Sequence, residues 1–265
     1  MPKYKYGLKP DKPDDRDYRL SKLIGKEVLD KPIDVDLRPE FIKPFMQTEQ
    51  DCTANAGTAN KMYLDGNKFQ YSRQFLYNQE RIFEGTFPED EGSQCRTICK
   101  VLQKFGICEE SYLPYGIHNI ATIPSEDAYK NALLHRISNY YRVTSPTEMR
   151  AALKLGHAVL FAIAVYESFE TEVEDDGFIP MPNIKKEKLL GDHQTLLVGT
   201  HYKPRKKLEK IVDFITRDEK DNYFILMNSW SDKSKSEGGW GDKGFGYLPE
   251  DVLKKIMVDA WVITK

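Results

Sequence analysis

Cysteine is scarce in this chain: there are four, at positions 52, 95, 99 and 108, and no two form the C-x-x-C pair typical of structural zinc sites. No metal centre and no cofactor is expected. Long apolar runs are also missing. The longest, Val159 to Val165, is far too short to span a bilayer, and the opening MPKYKYGLKPDKPDDRDYRL has charge but no apolar core of the secretory kind. These absences predict a cytosolic protein whose thiols stay reduced. Charge of one sign is not concentrated anywhere: 39 basic and 41 acidic residues are scattered along the chain, which argues against nucleic acid and anionic membranes as partners. There is no internal repeat. The glycine-bearing runs GDKGFG (241–246) and DEGSQ (90–94) lack the strand-then-helix frame of a dinucleotide site and read as turns.

What is present is an ordinary globular composition, 40% hydrophobic and 12% aromatic in 265 residues, enough for one large domain or two small ones. A monomer is the default expectation. The first half reads as helical. A helix is predicted over 53–65, ending at Gly66. A second follows the cap Ser72, with Phe75, Leu76, Ile82 and Phe83 on one side before Gly85. A third follows Ser93 as cap, with Cys95, Ile98, Cys99, Leu102 and Phe105 at helical spacing before Gly106. Ser145, Pro146 and Glu148 open a short helix that ends at Gly156.

The second half turns strand-like. VLFAIAV (159–165), TLLVGTHY (195–202), YFILMN (223–228) and DAWVI (259–263) are rich in β-branched, leucine and aromatic residues. Polar stretches 203–222 and 231–237 read as solvated loops or a hairpin. A helical half beside a β-rich half favours a site in the cleft between them.

Four thiols and five histidines are the candidates for chemistry. Cys95 and Cys99 fall on an inward helical stripe and are expected to be core residues, as is Cys108. Cys52, in QTEQDCTANAGTAN, instead opens a helix, where the N-terminal dipole favours a thiolate. A thiol nucleophile needs a base, and the base needs an orienting partner. His157 follows a helix-ending glycine, and His118, His135 and His201 read as surface or edge residues. His193, in GDHQTLLVG, stands at the mouth of an apolar strand, and Asn228 closes YFILMNSW.

Cys52 opening a helix, Asp192-His193 entering a strand and Asn228-Ser229-Trp230 followed by GGWGDKGFGYLPEDVL together resemble the papain-like cysteine peptidases, in particular the bacterial and viral branch without a large propeptide. IDVDLRPEFIKPF, SRQFLYNQERIFEG, DEGSQCRTICKVLQKFGICEESYLPY and PDKPDDRDYRL extend the resemblance over nearly the whole chain, and about 140 residues separate the cysteine from the histidine. The resemblance implies an α+β two-domain fold: a helical left domain over 39–144 carrying the nucleophile and a β-barrel-like right domain over 145–265 carrying His193 and Asn228, with an extended N-terminal arm over 1–38 ahead of them.

It further implies that Cys52 attacks a peptide carbonyl, that His193 carries the proton, that Asn228 orients the imidazole with Trp230 shielding their bond and Asp192 in support, and that the backbone of Gly92 pairs with an extended peptide or protein substrate. The loop before the cysteine departs from the family pattern. The family's oxyanion glutamine stands six residues before the cysteine, where this chain has Met46; Gln47 is the expected donor, with Gln50 the alternative, and Asp51 replaces a small neutral residue. A weakly active or inactive peptide-binding descendant and a thiol enzyme that transfers acyl groups or cleaves other amides are the alternative readings. The arm, too short to fold as an inhibitory domain, is expected to be a retained surface strap that contributes stability more than inhibition.

Overall fold

The computed structural model describes residues 2–25, 28, 33–117, 119–173, 176–203, 222–231 and 239–265. His118 and most of the stretches 203–222 and 231–237 lie outside the described residues. The central helix, α1 (Cys52–Leu64), is buried on nearly every side, so alanines and polar side chains replace the usual apolar stripe. Small residues let its neighbours approach: a Cβ at Gly57 would come within 2.6 Å of Ile98 Cγ2 and 3.0 Å of Leu76 Cδ2. Helix α2 (Arg73–Glu84) begins where Ser72 Oγ accepts from Phe75 N at 3.0 Å and ends at Gly85 with φ 75°.

Two expectations for these helices need correction. Phe75 and Leu76 are buried, but Ile82 and Phe83 are exposed, because α2 runs through the interior as far as Arg81 and then emerges into solvent. Ser93 does not cap α3 (Cys95–Lys104). Its backbone pairs with the N-terminal arm and its hydroxyl donates to Glu84 Oε1 at 2.8 Å, which leaves Gln94 at the cap position. The stripe holds for Cys95, Ile98, Cys99 and Leu102, which are all buried, as is Cys108, while Phe105 at its end is half-buried. Helix α4 (Glu126–Ala132), capped by Ser125, was not anticipated. In α5 (Pro146–Lys154) Ser145 Oγ accepts from Glu148 N, while the Glu148 carboxylate reaches back to Thr144 rather than to Ser145.

Strands β1 (Leu8–Lys9), β2 (Val35–Asp36), β3 (Ser93–Gln94), β4 (Asn139–Arg142), β5 (Val159–Tyr166), β6 (Leu189–Tyr202), β7 (Asn222–Met227), β8 (Phe245–Pro249) and β9 (Met257–Thr264) complete the frame with the short helices α6 (Glu167–Thr171) and α7 (Glu250–Ile256). The antiparallel sheet runs β4-β9-β5-β6-β7-β8, with β2 also on β6, while β1 pairs in parallel with β3. The sheet thus draws on β2 and β4, both ahead of residue 145. Strand β6 begins six residues before the expected 195, since Leu189–Gln194 continue the ladder along β5. His193 is therefore inside a strand, opposite Ile163, and not at its mouth. Gly241 at φ 59° and Gly244 at φ 90° confirm the GDKGFG turn that leads into β8.

The arm does not follow the outside of the protein throughout. From Asp11 to Tyr18 it is a strap: Arg96 Nη2 donates to Lys12 O and to Asp17 Oδ2, and Arg142 N donates to Tyr18 O. Residues 4–9, by contrast, cross the face where α1 meets β6. The expected surface strap accounts for only half of what the arm does.

Candidate active site

Helix α1 presents Cys52 at its first position, and β6 presents His193 beside it: the backbone N–H of Gln194, next after His193, points to the Cys52 thiol. Asn228 follows directly on the end of β7 at Met227, and His193 Nε2 bonds Asn228 Oδ1 at 2.8 Å. The same oxygen accepts from Ser229 N at 2.8 Å, which fixes the amide's orientation and requires His193 to donate from Nε2. Nδ1 is then the unprotonated ring nitrogen, buried without a hydrogen-bond partner and able to accept a proton. Trp230 stacks on the imidazole with ring centroids 4.6 Å apart and an interplanar angle of 23°. Phe169 and Trp240 enclose that indole in turn.

The loop ahead of Cys52 is pinned to the same corner. Gln47 N donates to Ser229 O at 2.9 Å, and Ser229 Oγ donates to Gln47 Oε1 at 2.6 Å. That second bond commits the oxygen of the amide and turns Nε2 outward, where it donates to Lys5 O at 2.9 Å. Gln50 points elsewhere, its Nε2 donating to Asp90 O. Gln47 Nε2 also donates to Glu49 O at 3.2 Å, so of the two glutamines one bonds the arm and its own loop while the other bonds the Asp90 backbone.

A sequence profile described as papain family cysteine protease matches residues 44–262. The chain belongs to that family. Over its full length it superposes on xylellain, a cysteine protease from Xylella fastidiosa, with a TM-score of 0.82, 28% identity and 98% of that chain covered. It is also 28% identical to an uncharacterised peptidase C1-like protein of Acanthamoeba polyphaga mimivirus, over 97% of this chain and 86% of the viral one. A digestive procathepsin L2 from the larval midgut of Tenebrio molitor shares the fold at 17% identity, with a TM-score of 0.70 over 99% of this chain and 78% of that one. This is a papain-family cysteine peptidase with the α+β two-domain fold of that family.

Within that papain frame the arm fills the site. Tyr4 stacks flat on the outer face of Trp230 at 3.9 Å, Tyr6 meets His193 and Trp230 edge-on, and the Tyr6 hydroxyl donates to Glu170. The Gly7 N–H points to the Cys52 thiol, and Ser93 N donates to Gly7 O at 2.8 Å. A Cβ at Gly7 would lie 1.7 Å from Gln50 O, and one at Gly92 would lie 1.8 Å from Gly7 O, so two glycines make the passage possible. Gly92 differs from its expected role: its N–H donates to the Tyr77 hydroxyl at 3.1 Å, and the backbone that pairs with an extended segment belongs to Ser93.

Burial sets the protonation of the pair. It pushes the Cys52 thiol up to about 12, against the lowering effect of the Gln194 and Gly7 N–H groups and with the Asp51 and Glu80 charges adding to it. It also pushes His193 down to about 4 despite the bond to Asn228. The covered site therefore holds a neutral thiol and a neutral imidazole, not the thiolate expected from the helix dipole. Asp51 itself is buried, with its carboxyl raised to about 6 by that burial and Arg73 opposing.

Several placements depart from the sequence reading. Asp192 pairs along the strand with Ala164, and among the described residues no hydrogen bond ties its carboxylate to the site. His135 is buried rather than peripheral, with Nδ1 bonded to the Tyr71 hydroxyl at 3.0 Å, because it closes a polar cluster behind α1. His201 is at a strand edge, beside Asp34. Ser229, Phe169, Tyr4 and Tyr6 were not singled out. For Ser229 the signal was its place between Asn228 and Trp230; the aromatics carry no local signature. Among the described residues there is no group of three or more His, Cys, Asp and Glu side chains placed to hold a metal, and no helix long and apolar enough to cross a membrane.

Proposed function

We propose that Cys52, His193 and Asn228 act as a catalytic triad that hydrolyses peptide bonds through a thioester acyl-enzyme. The observation that carries the reading is the 2.8 Å bond from His193 Nε2 to Asn228 Oδ1, which leaves Nδ1 as the proton acceptor on the strand that lies against the Cys52 thiol. Nδ1 takes the thiol proton and the sulfur attacks the carbonyl carbon. The oxygen gains negative charge beside two donors, Gln47 Nε2 and the free N–H of Cys52 at the start of α1. As the tetrahedral species collapses, Nδ1–H protonates the leaving amine. Water, deprotonated by the same nitrogen, then attacks the thioester and releases the acid. Asn228 keeps the ring in one tautomer and orientation throughout.

The arm sets the condition for this chemistry. It offers the sulfur the Gly7 N–H rather than a carbonyl carbon, so it occupies the cleft in a nonproductive pose, and it must swing away before a substrate enters. Once it leaves, the thiol and imidazole regain water and the ion pair becomes accessible. The strap from Asp11 to Tyr18 keeps the departed segment tethered to the body.

The test is cleavage of a mixed peptide library, with products read by mass spectrometry, for the wild-type chain and folded Cys52→Ala and Gly7→Ala variants. New termini are expected from the wild type, more of them from Gly7→Ala, and none from Cys52→Ala. Cleavage that persists in Cys52→Ala would overturn the reading.

A further inference from the structure

The cleft contains a basic residue that touches it in two ways at once. The carbonyl of Lys5 accepts from the nearly fully buried Gln47 amide at 2.9 Å, while its ammonium donates to Glu49 Oε2 at 2.5 Å and lies 3.4 Å from Asp90 Oδ2. The two carboxylates come from different segments, one before α1 and one before β3. Asp90 is held rigidly: its Oδ1 accepts from the Tyr77 hydroxyl at 2.6 Å and from Gln50 N at 3.1 Å, which leaves Oδ2 directed at the ammonium. Contact with Glu49 raises the Lys5 ammonium above its ordinary range, so the bound group is the cation.

We propose that Glu49 and Asp90 form a specificity subsite that selects lysine or arginine at the residue supplying the scissile carbonyl. This rests on the reading of Gln47 as oxyanion donor and Cys52 as nucleophile. A substrate carbonyl that replaces that of Lys5 on Gln47 Nε2 places its own side chain within one lysine length of the same two carboxylates. An ammonium or guanidinium there satisfies both. A neutral side chain leaves two carboxylates facing each other without a counter-ion, and an acidic one adds a third negative charge. The arm is then a pseudo-substrate whose lysine matches the preference of the cleft it covers.

Two reagents of equal backbone and different side chain isolate the effect: peptidyl chloromethyl ketones ending in lysine and in norleucine, with the second-order rate of Cys52 alkylation read by peptide mapping of the full-length protein. The arm competes with both reagents alike, so the ratio of rates is independent of how often it opens. The lysyl reagent is expected to react about tenfold faster, as suits a charge-assisted contact to partly exposed carboxylates. That ratio should fall towards one in Glu49→Gln and below one in Glu49→Lys. Equal rates for the two reagents in the wild type, or an unchanged ratio in both variants, would overturn the subsite. Failure to cleave any peptide, with the alkylation ratio intact, would strike the peptidase reading alone, and alkylation of other cysteines in place of Cys52 would overturn both.

Discussion

Replacing Gly7 by alanine is the smallest change that should open the site. The new Cβ would lie 1.7 Å from the backbone oxygen of Gln50, in a loop fixed by its bonds to Asp90, so the strain cannot be relieved by turning a side chain. The arm has to lift instead. Lifting costs the Ser93 N to Gly7 O bond, the Gln47 Nε2 to Lys5 O bond and the Tyr4 stack on Trp230. At about 1 kcal/mol for each hydrogen bond and for the ring pair, the covered form loses about 3 kcal/mol, roughly a hundredfold in its equilibrium with the open one. The assay is the rate of iodoacetamide labelling at Cys52, mapped peptide by peptide at neutral pH, beside Cys95, Cys99 and Cys108 as buried internal controls. Faster labelling confined to Cys52, with an unchanged circular dichroism spectrum, is the expected result. A folded Gly7→Ala protein labelled no faster than wild type would refute the idea that residues 4–9 control access.

Three further changes probe the chemistry. Gln47→Ala should lower turnover by about 100- to 1000-fold, the usual cost of one oxyanion donor, without slowing alkylation of Cys52 in the uncovered Gly7→Ala background, whereas Gln50→Ala should leave turnover within a few-fold; steady-state kinetics with a fluorogenic peptide decides between them. Asn228→Ala should reduce turnover by about 100-fold through loss of ring orientation, less than Cys52→Ala, which abolishes it. The pH dependence follows from His193, whose protonation is opposed by burial: it is held down to about 4, against 6.5 when free, so the unfolded and open forms bind the proton more tightly. The covered fold keeps that stabilisation in full above pH 6.5 and loses it as pH falls towards 4, a contribution of about 3 kcal/mol. Melting temperature followed across that window should drop more steeply in the wild type than in His193→Ala, and parallel slopes would count against it.

Much of this was legible from residue order alone, and what was not shares a physical cause. Helix starts at Ser72 and Ser145 were readable because a cap is a local bond between neighbours in sequence. Ser93 misled for the same reason in reverse: its capping chemistry is local, but its backbone is claimed by a segment some 85 residues upstream. The stripe on α2 failed because the helix is buried on every side from Gln74 to Arg81 and then leaves the interior, so burial follows position along the axis and not one face. That His193, Asn228 and Trp230, which the motifs name, meet in the fold could be anticipated. The bond that aims Gln47, from Ser229, could not, since it joins two loops that meet only in the folded chain. The arm was judged from its composition, which showed that it could not fold alone; that it would lie in the cleft depends on Gly7 passing between Gln50 and Gly92, a matter of clearance that no composition reveals.

The claim at the centre of this account is that Cys52 is the nucleophile and His193 its base. An epoxide that alkylates papain-type thiols, applied to the Gly7→Ala protein, tests it most directly when the adduct is located by tandem mass spectrometry. The account predicts one adduct per chain, on Cys52, with its rate reduced by orders of magnitude when His193→Ala is added to a protein that still folds. Adducts spread over Cys95, Cys99 and Cys108, or a Cys52 rate indifferent to His193, would contradict it.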